Sequence, residues 1–316
     1  GMKYCDTLSD DAFTGYEFDY IISNPPFGID WKREKSQVEN EAKRGFDGRF
    51  GPGLPAISDG QMLFMLNGVK KLKEGSGRMA IIQNSSSLFT GDAGSGASEI
   101  RRYVIEGDLV EAIIQLPTDL FYNTGISTYI WVLTKGKAMH RSGKVQLIDA
   151  SKCFVKRRKN IGSKRVDLDD ACIDLILRAY EGFADETYEE NGLAVESKVF
   201  DNSFFGFTKV TVETAQADAK GKPVLKRGKK QPVKSASDTE IIPLSEDIDA
   251  YMKKNVLPYN PLAYIDPAKD KIGYEVPFTR LFYKFEAPAS SESIFEDIKA
   301  LEMEETILMK ELFGNA

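Results

Sequence analysis

Residues 18–28 have the sequence Phe-Asp-Tyr-Ile-Ile-Ser-Asn-Pro-Pro-Phe-Gly, an apolar run that ends abruptly at two prolines. β-Branched and aromatic residues followed by turn formers are typical of a short buried strand, so we predict a strand over residues 18–23. Pro25 and Pro26 have no backbone N–H, and Pro26 favours an extended conformation at Pro25. We therefore expect a rigid loop at the carboxyl end of this strand, the edge where open α/β sheets bind ligands.

This loop carries groups that suit a reaction at the exocyclic amino group of an aromatic base. The side-chain oxygen of Asn24 and the carbonyl of Pro25 could accept hydrogen bonds from its two N–H groups. These hydrogen bonds favour a tetrahedral amino nitrogen, which is the form that attacks a methyl donor. Phe27 could stack on the base, as bases taken out of a duplex usually require. Such a reaction needs neither a metal nor a covalent intermediate. The alternative is an ordinary Asn-Pro turn after a strand.

Residues 24–27, placed in a loop after a strand, resemble the catalytic motif of amino-methyltransferases that use S-adenosylmethionine. The motif alone also occurs in glutamine and ribosomal-RNA methyltransferases. Further runs narrow the resemblance to the adenine-N6 methyltransferase (M) subunit of type I restriction–modification systems, and these runs are Asp6-Thr7-Leu8, residues 18–27, 77–82, 113–117 and 271–280. The resemblance extends over most of the chain and is weak near residues 205–240.

The resemblance implies a reaction and a set of site residues. The family transfers a methyl group from S-adenosylmethionine to N6 of an adenine extruded from DNA, with residues 24–27 at the catalytic position. An aromatic residue stacks on the other face of the adenine, and we choose Phe121 for this role ahead of Tyr122, although a ring in a plain hairpin core is an alternative. Asp6 matches an acidic position at the adenine of the cofactor, although a solvated loop aspartate explains it equally well.

The family binds its cofactor on a Gly-rich loop that follows a strand upstream of the Asn-Pro-Pro-Phe strand. The residues before Asn24 contain no Gly-x-Gly, and the helical N-terminal domain of the family is not present. We therefore expect this chain to be the carboxyl-terminal portion of an M subunit, inactive by itself. One alternative is a non-catalytic remnant that binds the specificity subunit or DNA. Methylation of glutamine or RNA is less favoured.

Composition limits the partners and the compartment. A net charge of -6 is not the footprint of a protein that binds nucleic acid by itself, so we expect partners. The resemblance implies DNA, a specificity subunit and a second methylation subunit, to which a restriction subunit can be added. Three cysteines without metal-like spacing (Cys5, Cys153 and Cys172) fit reduced thiols in a cytoplasm. No apolar run is long enough to span a membrane.

The predicted fold class is α/β. We expect part of a Rossmann-like methyltransferase sheet in the order 4-5-7-6 of the family's strands, with the last strand antiparallel, followed by a mainly helical region. The pattern of apolar residues predicts strands over residues 18–23, 78–83 and 109–116 and helices over 60–72 and 169–180. The predicted divisions are a catalytic part (1–140), a mixed or helical extension (141–290) with a flexible basic stretch near 208–238, and a docking helix (291–316).

Two polar segments are candidate contacts for the DNA backbone, with a solvated loop as the alternative for both. Residues 29–60 are expected to form a loop above the active site. Its candidate phosphate contacts are Lys32, Arg33, Lys43, Arg44 and Arg49. Arg157 and Arg158 belong to the densest basic run. In the last segment, apolar residues on a 3.5-residue repeat predict a helix that, by the resemblance, meets the specificity subunit. We also expect the apolar edge strand over 18–23 to be covered by N-terminal residues or by another chain.

Overall fold

A computed structural model of the protein describes residues 2–285 and 288–314. The described residues form an α/β fold. Its strands are β1 Tyr20–Ser23, β2 Arg78–Asn84, β3 Val110–Gln115, β4 Thr128–Thr134, β5 Lys144–Asp149, β6 Val155–Ile161, β7 Lys164–Asp167, β8 Glu186–Glu190, β9 Leu193–Asp201, β10 Gly206–Ala215, β11 Leu225–Lys226, β12 Lys229–Lys230, β13 Pro232–Pro243, β14 Ala263–Ile265 and β15 Lys271–Tyr274. Its helices are α1 Lys35–Ala42, α2 Gln61–Lys70, α3 Ser86–Phe89, α4 Gly96–Glu106, α5 Asp170–Gly182, α6 Ile248–Tyr251, α7 Phe278–Phe282 and α8 Ser291–Phe313.

The largest sheet has seven strands in the order β1-β2-β4-β3-β5-β9-β8. β1 and β2 are parallel, as are β3 and β5, whereas β4 runs antiparallel to both of its neighbours. α2 packs beside β2 and joins α4 in a buried cluster that includes Leu63, Leu66 and Ile100. Towards the β8 end, α5 packs on the sheet through residues such as Leu175 and Val195. The predicted strands over 18–23, 78–83 and 109–116 and both predicted helices are confirmed.

The chain does not divide near residue 140, where we expected a boundary. β5, β9 and β8 extend the same sheet by hydrogen bonding to β3 and to one another, so residues 144–201 complete the core that the first 140 residues begin. The compact units are instead residues up to Phe278 and residues from Thr279 onward.

The prediction of a mainly helical region after residue 140 was wrong. Eleven strands lie between residues 144 and 274, and α5 is the only helix in that range longer than five residues. β-Branched residues that alternate with polar ones, such as Val210 and Val212 in β10, favour half-buried strands. The basic stretch near 208–238, for which a mobile hairpin and a partly disordered arm were the two expectations, contains paired strands, since β10 and β13 form a long antiparallel ladder.

A second sheet consists of β13, β10 and β14, with β15 also paired to β10. Residues 271–278 fasten this sheet to the helices of the first one. The Tyr274 N–H donates to Oγ of Ser98 at 2.9 Å, and the Tyr274 hydroxyl donates to Glu106 at 2.8 Å. Next along the chain, the Val276 N–H donates to the Leu88 carbonyl at 2.8 Å.

Arg101 of α4 is the buried centre of this junction, with 1% of its surface exposed. Its guanidinium donates to the carbonyls of Tyr274 (2.6 Å), Ser87 (3.2 Å) and Thr90 (2.9 Å). Burial lowers the pKa of Arg101 to about 10, so the group keeps its charge at neutral pH. One side chain therefore satisfies three acceptors from two separate segments, residues 87–90 and the end of β15.

The C-terminal unit is described by itself. α8 begins at an N-cap, Ser290, whose Oγ accepts a hydrogen bond from the Ser293 N–H at 3.1 Å. Its apolar side chains, among them Leu301 and Leu312, are exposed within the unit. Two residues of the predicted extension (286–287) and the last two of the predicted docking helix (315–316) lie outside the described residues. Among the helices that the structure describes, none is both long enough and apolar enough to cross a membrane.

Replacing Arg101 by alanine is expected to lower the free energy of unfolding by about 3 kcal/mol or more, because three buried carbonyls lose a charged donor. Arg102→Ala is the matched control on the same helix, since Arg102 forms partly exposed ion pairs with Glu99 and Glu106. Its cost should stay below about 1 kcal/mol. Urea denaturation at neutral pH measures both values. Equal losses would contradict the role that we assign to Arg101.

Candidate active site

The candidate site lies at the carboxyl edge of β1, where the strand ends at Ser23 and the Asn-Pro-Pro-Phe loop (residues 24–27) begins. Asn24 is exposed and Pro25 is buried. In the described part of the chain, the Asn24 amide and the Pro25 carbonyl have no hydrogen-bond partner. Both groups are therefore free to accept hydrogen bonds from a ligand.

The chain after this loop is held by a buried tryptophan. The Trp31 N–H donates to the Ile57 carbonyl, and its indole N–H donates to the Ala56 carbonyl, both at 3.1 Å. The Gly60 N–H donates back to the Ile29 carbonyl at 3.0 Å. Residues 29–60 are thus not the simple loop that we expected, because they also contain α1, whose Val38 is fully buried.

A polar cluster of four side chains lies between the start of α2 and the end of β2. The Gln61 amide nitrogen is within hydrogen-bond distance of Asn84 (2.7 Å), Ser86 (2.6 Å) and Asp59 (2.7 Å), and its oxygen accepts the Asn84 N–H at 3.0 Å. This cluster holds the start of α2 against β2, next to the segment that pairs with Ile29. We did not predict it from the sequence, although the polar residues after the strand over 78–83 were a signal.

The structure brings Phe27 and Phe121 together. Their ring centroids are 6.5 Å apart and their planes meet at 81°, an edge-to-face contact. A base held between two ring faces requires faces that are close to parallel, so one ring has to turn before both could stack on it. Tyr122 points elsewhere, since it packs on Gly162, where an added Cβ would lie 3.1 Å from the tyrosine ring.

The hairpin of β6 and β7 is fastened to the same loop by backbone hydrogen bonds. The Ser163 N–H donates to the Tyr122 carbonyl at 2.8 Å, and the Arg165 N–H donates to the Asp119 carbonyl at 2.9 Å. The densest basic run of the sequence therefore lies beside Phe121. Within it, Arg157 forms an ion pair with Asp167, whereas the Arg158 side chain is exposed.

The other candidate DNA contacts fall into two groups. Lys32 and Arg33 are exposed, and Lys32 forms a loose ion pair with Asp30 at 3.7 Å. Arg49 is not available to DNA, which corrects our expectation. It is largely buried, donates to both carboxylate oxygens of Glu41, and donates to the carbonyls of residues 7 and 8.

Arg49 belongs to a charged cluster with Asp11, Glu41 and Lys71 that fixes the N-terminal segment. Burial opposes ionisation of Asp11, but the hydrogen bond from Lys71 and the nearby Arg49 charge outweigh it and lower its pKa. The pKa of Glu41 is also lowered, because the hydrogen bonds from Arg49 exceed the opposing effect of burial. Both acids are therefore charged and paired at neutral pH.

A cavity of about 520 Å³ opens beside β1, and its lining includes Pro25, Asp11 and Lys71. Asp6, the proposed cofactor contact, is not among its lining residues. The Asp6 carboxylate instead accepts the N–H groups of Leu8 (2.8 Å) and Ser9 (3.2 Å) in its own turn. The described acids near this cavity are thus engaged within the protein.

The edge strand β1 keeps an exposed face. Tyr20 is 77% exposed and Ile22 is 90% exposed. The predicted cover by the chain's own N-terminal residues is not found at these two side chains, which stay exposed although Phe13 lines the same cavity. Cover by another chain stays a prediction.

Residues 2–285 and 288–314 contain no cluster of His, Cys, Asp or Glu side chains that could hold a metal ion.

Comparisons with known proteins give a consistent assignment. Residues 1–217 match the N-6 DNA Methylase family model. The MjaVII type I restriction enzyme methylase subunit of Methanocaldococcus jannaschii is 32% identical over 189 residues, which are 57% of this chain and 30% of that protein. The HindI methylase subunit of Haemophilus influenzae is 26% identical over 261 residues, 81% of this chain and 55% of that protein.

The structural comparison agrees. The crystal structure of the type I restriction-modification system methyltransferase subunit from Streptococcus thermophilus aligns with a TM-score of 0.52 and 29% identity, covering 63% of this chain and 38% of that one. The mixed α/β sheet is thus the fold of a methyltransferase subunit. Residues 1–217, which match the family model, make up more than half of the chain. The chain therefore belongs to the N-6 DNA methylase family. It spans 27–30% of the length of the Methanocaldococcus jannaschii relatives that it matches.

Acid is expected to destabilise the fold through the charged cluster. A carboxyl whose pKa is lowered by folding contributes stability that is present above its unfolded pKa of about 4 and is lost as the pH falls through the folded value. Asp11→Asn should therefore flatten the loss of stability below about pH 4, and should cost about 1–3 kcal/mol at pH 7 because Lys71 loses its partner.

Urea denaturation across this pH range measures both effects. Asp10→Asn is the control, because Asp10 is exposed and its carboxylate forms no salt bridge with the residues that the structure describes. The control should follow the unmodified chain at every pH. An Asp11→Asn profile that runs parallel to the unmodified one would refute the assignment.

Proposed function

We propose that this chain is the site-bearing part of a DNA adenine-N6 methyltransferase, the M subunit of a type I restriction–modification system, with S-adenosylmethionine as the methyl donor. The observation that carries the proposal is the free Asn24 amide after a parallel strand, with the Phe27 ring 6.5 Å from the Phe121 ring. Relatives named as type I methylase subunits support it.

The residues of the loop would act on the base by position and charge. The Asn24 oxygen and the Pro25 carbonyl would accept hydrogen bonds from the two N–H groups of the adenine amino group, which localises the nitrogen lone pair. The new N–C bond would form as the carbon–sulfur bond of the donor breaks, and the surplus proton would leave to solvent. Phe27 and Phe121 hold the extruded base from its two faces, and the turn of one ring opens the space. The two prolines keep the acceptors in place, so little reorganisation accompanies the reaction.

The sheet supports an assignment of strands within the methyltransferase fold. We propose that β1, β2, β4 and β3 are strands 4, 5, 7 and 6 of that fold. Their order in the sheet and the antiparallel direction of β4 support this assignment. Asn24 then follows strand 4, where a base would meet the donor.

This chain by itself is proposed to be inactive. The described acids near the open cavity, Asp6 and Asp11, are occupied by internal hydrogen bonds, so neither is free to bind the donor. The exposed Ile22 face also fits the second candidate function, a non-catalytic role in binding the specificity subunit or DNA.

The proposed partners are DNA, a specificity subunit and a second methylation subunit, with a restriction subunit as a further addition, in the cytoplasm. α8 is the proposed docking element for the specificity subunit, since its apolar side chains are exposed within its own unit. It carries seven acidic side chains and two lysines, so a partner helix with basic flanks would complement it. Exposed Lys32, Arg33 and Arg158 are the proposed contacts to the DNA backbone.

Asn24→Ala should lower methyl transfer on the order of a hundredfold or more, because the amino group loses one acceptor in the transition state. The assay follows tritiated methyl groups from S-adenosylmethionine into duplex DNA, using this chain purified from its own cells with its associated proteins. Asn255→Ala, at an exposed and distant asparagine, is the control and should leave the rate unchanged. Full activity of the Asn24 variant would exclude the proposed mechanism.

Phe121→Ala should weaken base extrusion by about 1–3 kcal/mol, because one stacking face is lost. Duplex DNA with 2-aminopurine at the target position reports extrusion by its fluorescence, measured in the same assembly. Tyr122→Ala is the control, since Tyr122 packs on Gly162 rather than beside Phe27. If the tyrosine variant is the one that loses the signal, the two roles are reversed.

A further inference from the structure

The segment between β10 and β13 is a narrow ribbon that we call the basic arm (residues 216–231). The ladder of the two long strands ends at the pair Ala215 and Pro232, and beyond it β11 and β12 form a hairpin. The Gln216 N–H donates to the Gln231 carbonyl at 2.8 Å, and the Val224 N–H donates to the Gln216 carbonyl at 2.7 Å. The arm therefore continues the second sheet as a hydrogen-bonded extension.

The arm carries a charge opposite to that of the rest of the chain. Its six cations are Lys220, Lys222, Lys226, Arg227, Lys229 and Lys230, and Asp218 is its one acidic residue, which gives a net charge of +5. Because the whole chain carries -6, the remaining residues carry -11. Such a concentration of positive charge on an acidic protein is a local feature of this arm.

The cations of the arm are not neutralised by the protein. In the part of the chain that the structure describes, none of them forms a salt bridge with a carboxylate, and all six residues are exposed. Lys226 and Lys229 are paired directly across the hairpin, so their side chains share one face. Like charges placed opposite each other destabilise a hairpin. An anion between them would remove this repulsion.

The turn at the tip departs from the usual residue choice. Arg227 and Gly228 have φ values of 52° and 78°, and two-residue turns of this kind favour Asn or Asp followed by Gly. An arginine at positive φ is strained, and such local strain is found at functional positions. Arg227 therefore places a positive charge at the tip of the hairpin, where an unstrained turn would have Asn or Asp.

We propose that the basic arm is a DNA-binding element that contacts the phosphate backbone of the duplex. A two-stranded ribbon fits the major groove of B-DNA, and lysines along it can reach phosphates on both sides. The arm has few apolar side chains, so burial against a protein surface would gain little. It also lies almost wholly outside residues 1–217, the range that matches the family. The inference rests on the proposed function only for the choice of DNA as the polyanion.

The test measures binding of the full 316-residue chain to a short fluorescein-labelled DNA duplex by anisotropy, at salt concentrations between about 50 and 200 mM. The arm variant is Lys226→Gln with Lys229→Gln. Losing two phosphate contacts should reduce the slope of log affinity against log salt by about 2 and lower the affinity more than tenfold at low salt. Lys253→Gln with Lys254→Gln is the matched control, because it removes the same charge from two adjacent, exposed lysines.

The control should keep the slope of the unmodified chain. Lys220→Gln with Lys222→Gln is a second arm variant, used if the first alters the thermal unfolding curve, and it should reproduce the loss. The proposal is overturned if the arm variants keep the full slope, if the control loses as much as they do, or if the unmodified chain does not bind at low salt. The methyl-transfer assay with Asn24→Ala is a separate measurement that does not use the salt slope, so a failure of the arm is distinguishable from a failure of the methylation mechanism.

Discussion

The buried guanidinium of Arg101 is the interaction on which the rest of the structure depends most. A charge inside a protein is tolerated only when hydrogen bonds replace water, and here three backbone carbonyls do so. Two of those carbonyls belong to α3 and the residue that ends it, and the third belongs to β15, which is distant from them in sequence. The second sheet is thus joined to the helices that cover the first sheet through a polar contact with a defined geometry. The run over residues 271–280, which belongs to the resemblance, thus has a structural role in this junction.

Hydrogen bonds between polar groups also position the loop of the candidate site. The Asn-Pro-Pro-Phe loop itself makes few internal contacts, and its free acceptors require that the surrounding segments be rigid. Trp31 holds the chain that leaves the loop, and the Gln61 cluster holds the start of α2 against β2. An exposed, unpartnered asparagine can therefore remain well positioned, because the constraint lies in its neighbours.

The sequence predicted those elements whose signals are local. The strand over residues 18–23 and α2 were predicted correctly, because apolar period and turn residues reveal them. The region after residue 140 was predicted to be mainly helical, although its strands are stabilised by pairing between segments far apart in sequence. Arg49 was taken for a surface cation, since nothing local indicates that Glu41 and the N-terminal carbonyls surround it. Phe27 and Phe121 lie near each other, and their edge-to-face angle could be known only from the folded structure. The stacking role chosen for Phe121 from the resemblance stays a prediction.

The distribution of exposed groups indicates how the chain works with others. Tyr20 and Ile22 leave an apolar face at the edge of the sheet next to the free acceptors of Asn24 and Pro25, while the basic arm extends from the far sheet of an otherwise acidic protein. An uncovered apolar edge strand destabilises a protein without partners. Two lysines opposite each other, Lys226 and Lys229, destabilise a hairpin that binds no anion. Both costs fall when a chain covers the edge and a polyanion meets the arm. The two features are therefore those that the proposed assembly on DNA would stabilise.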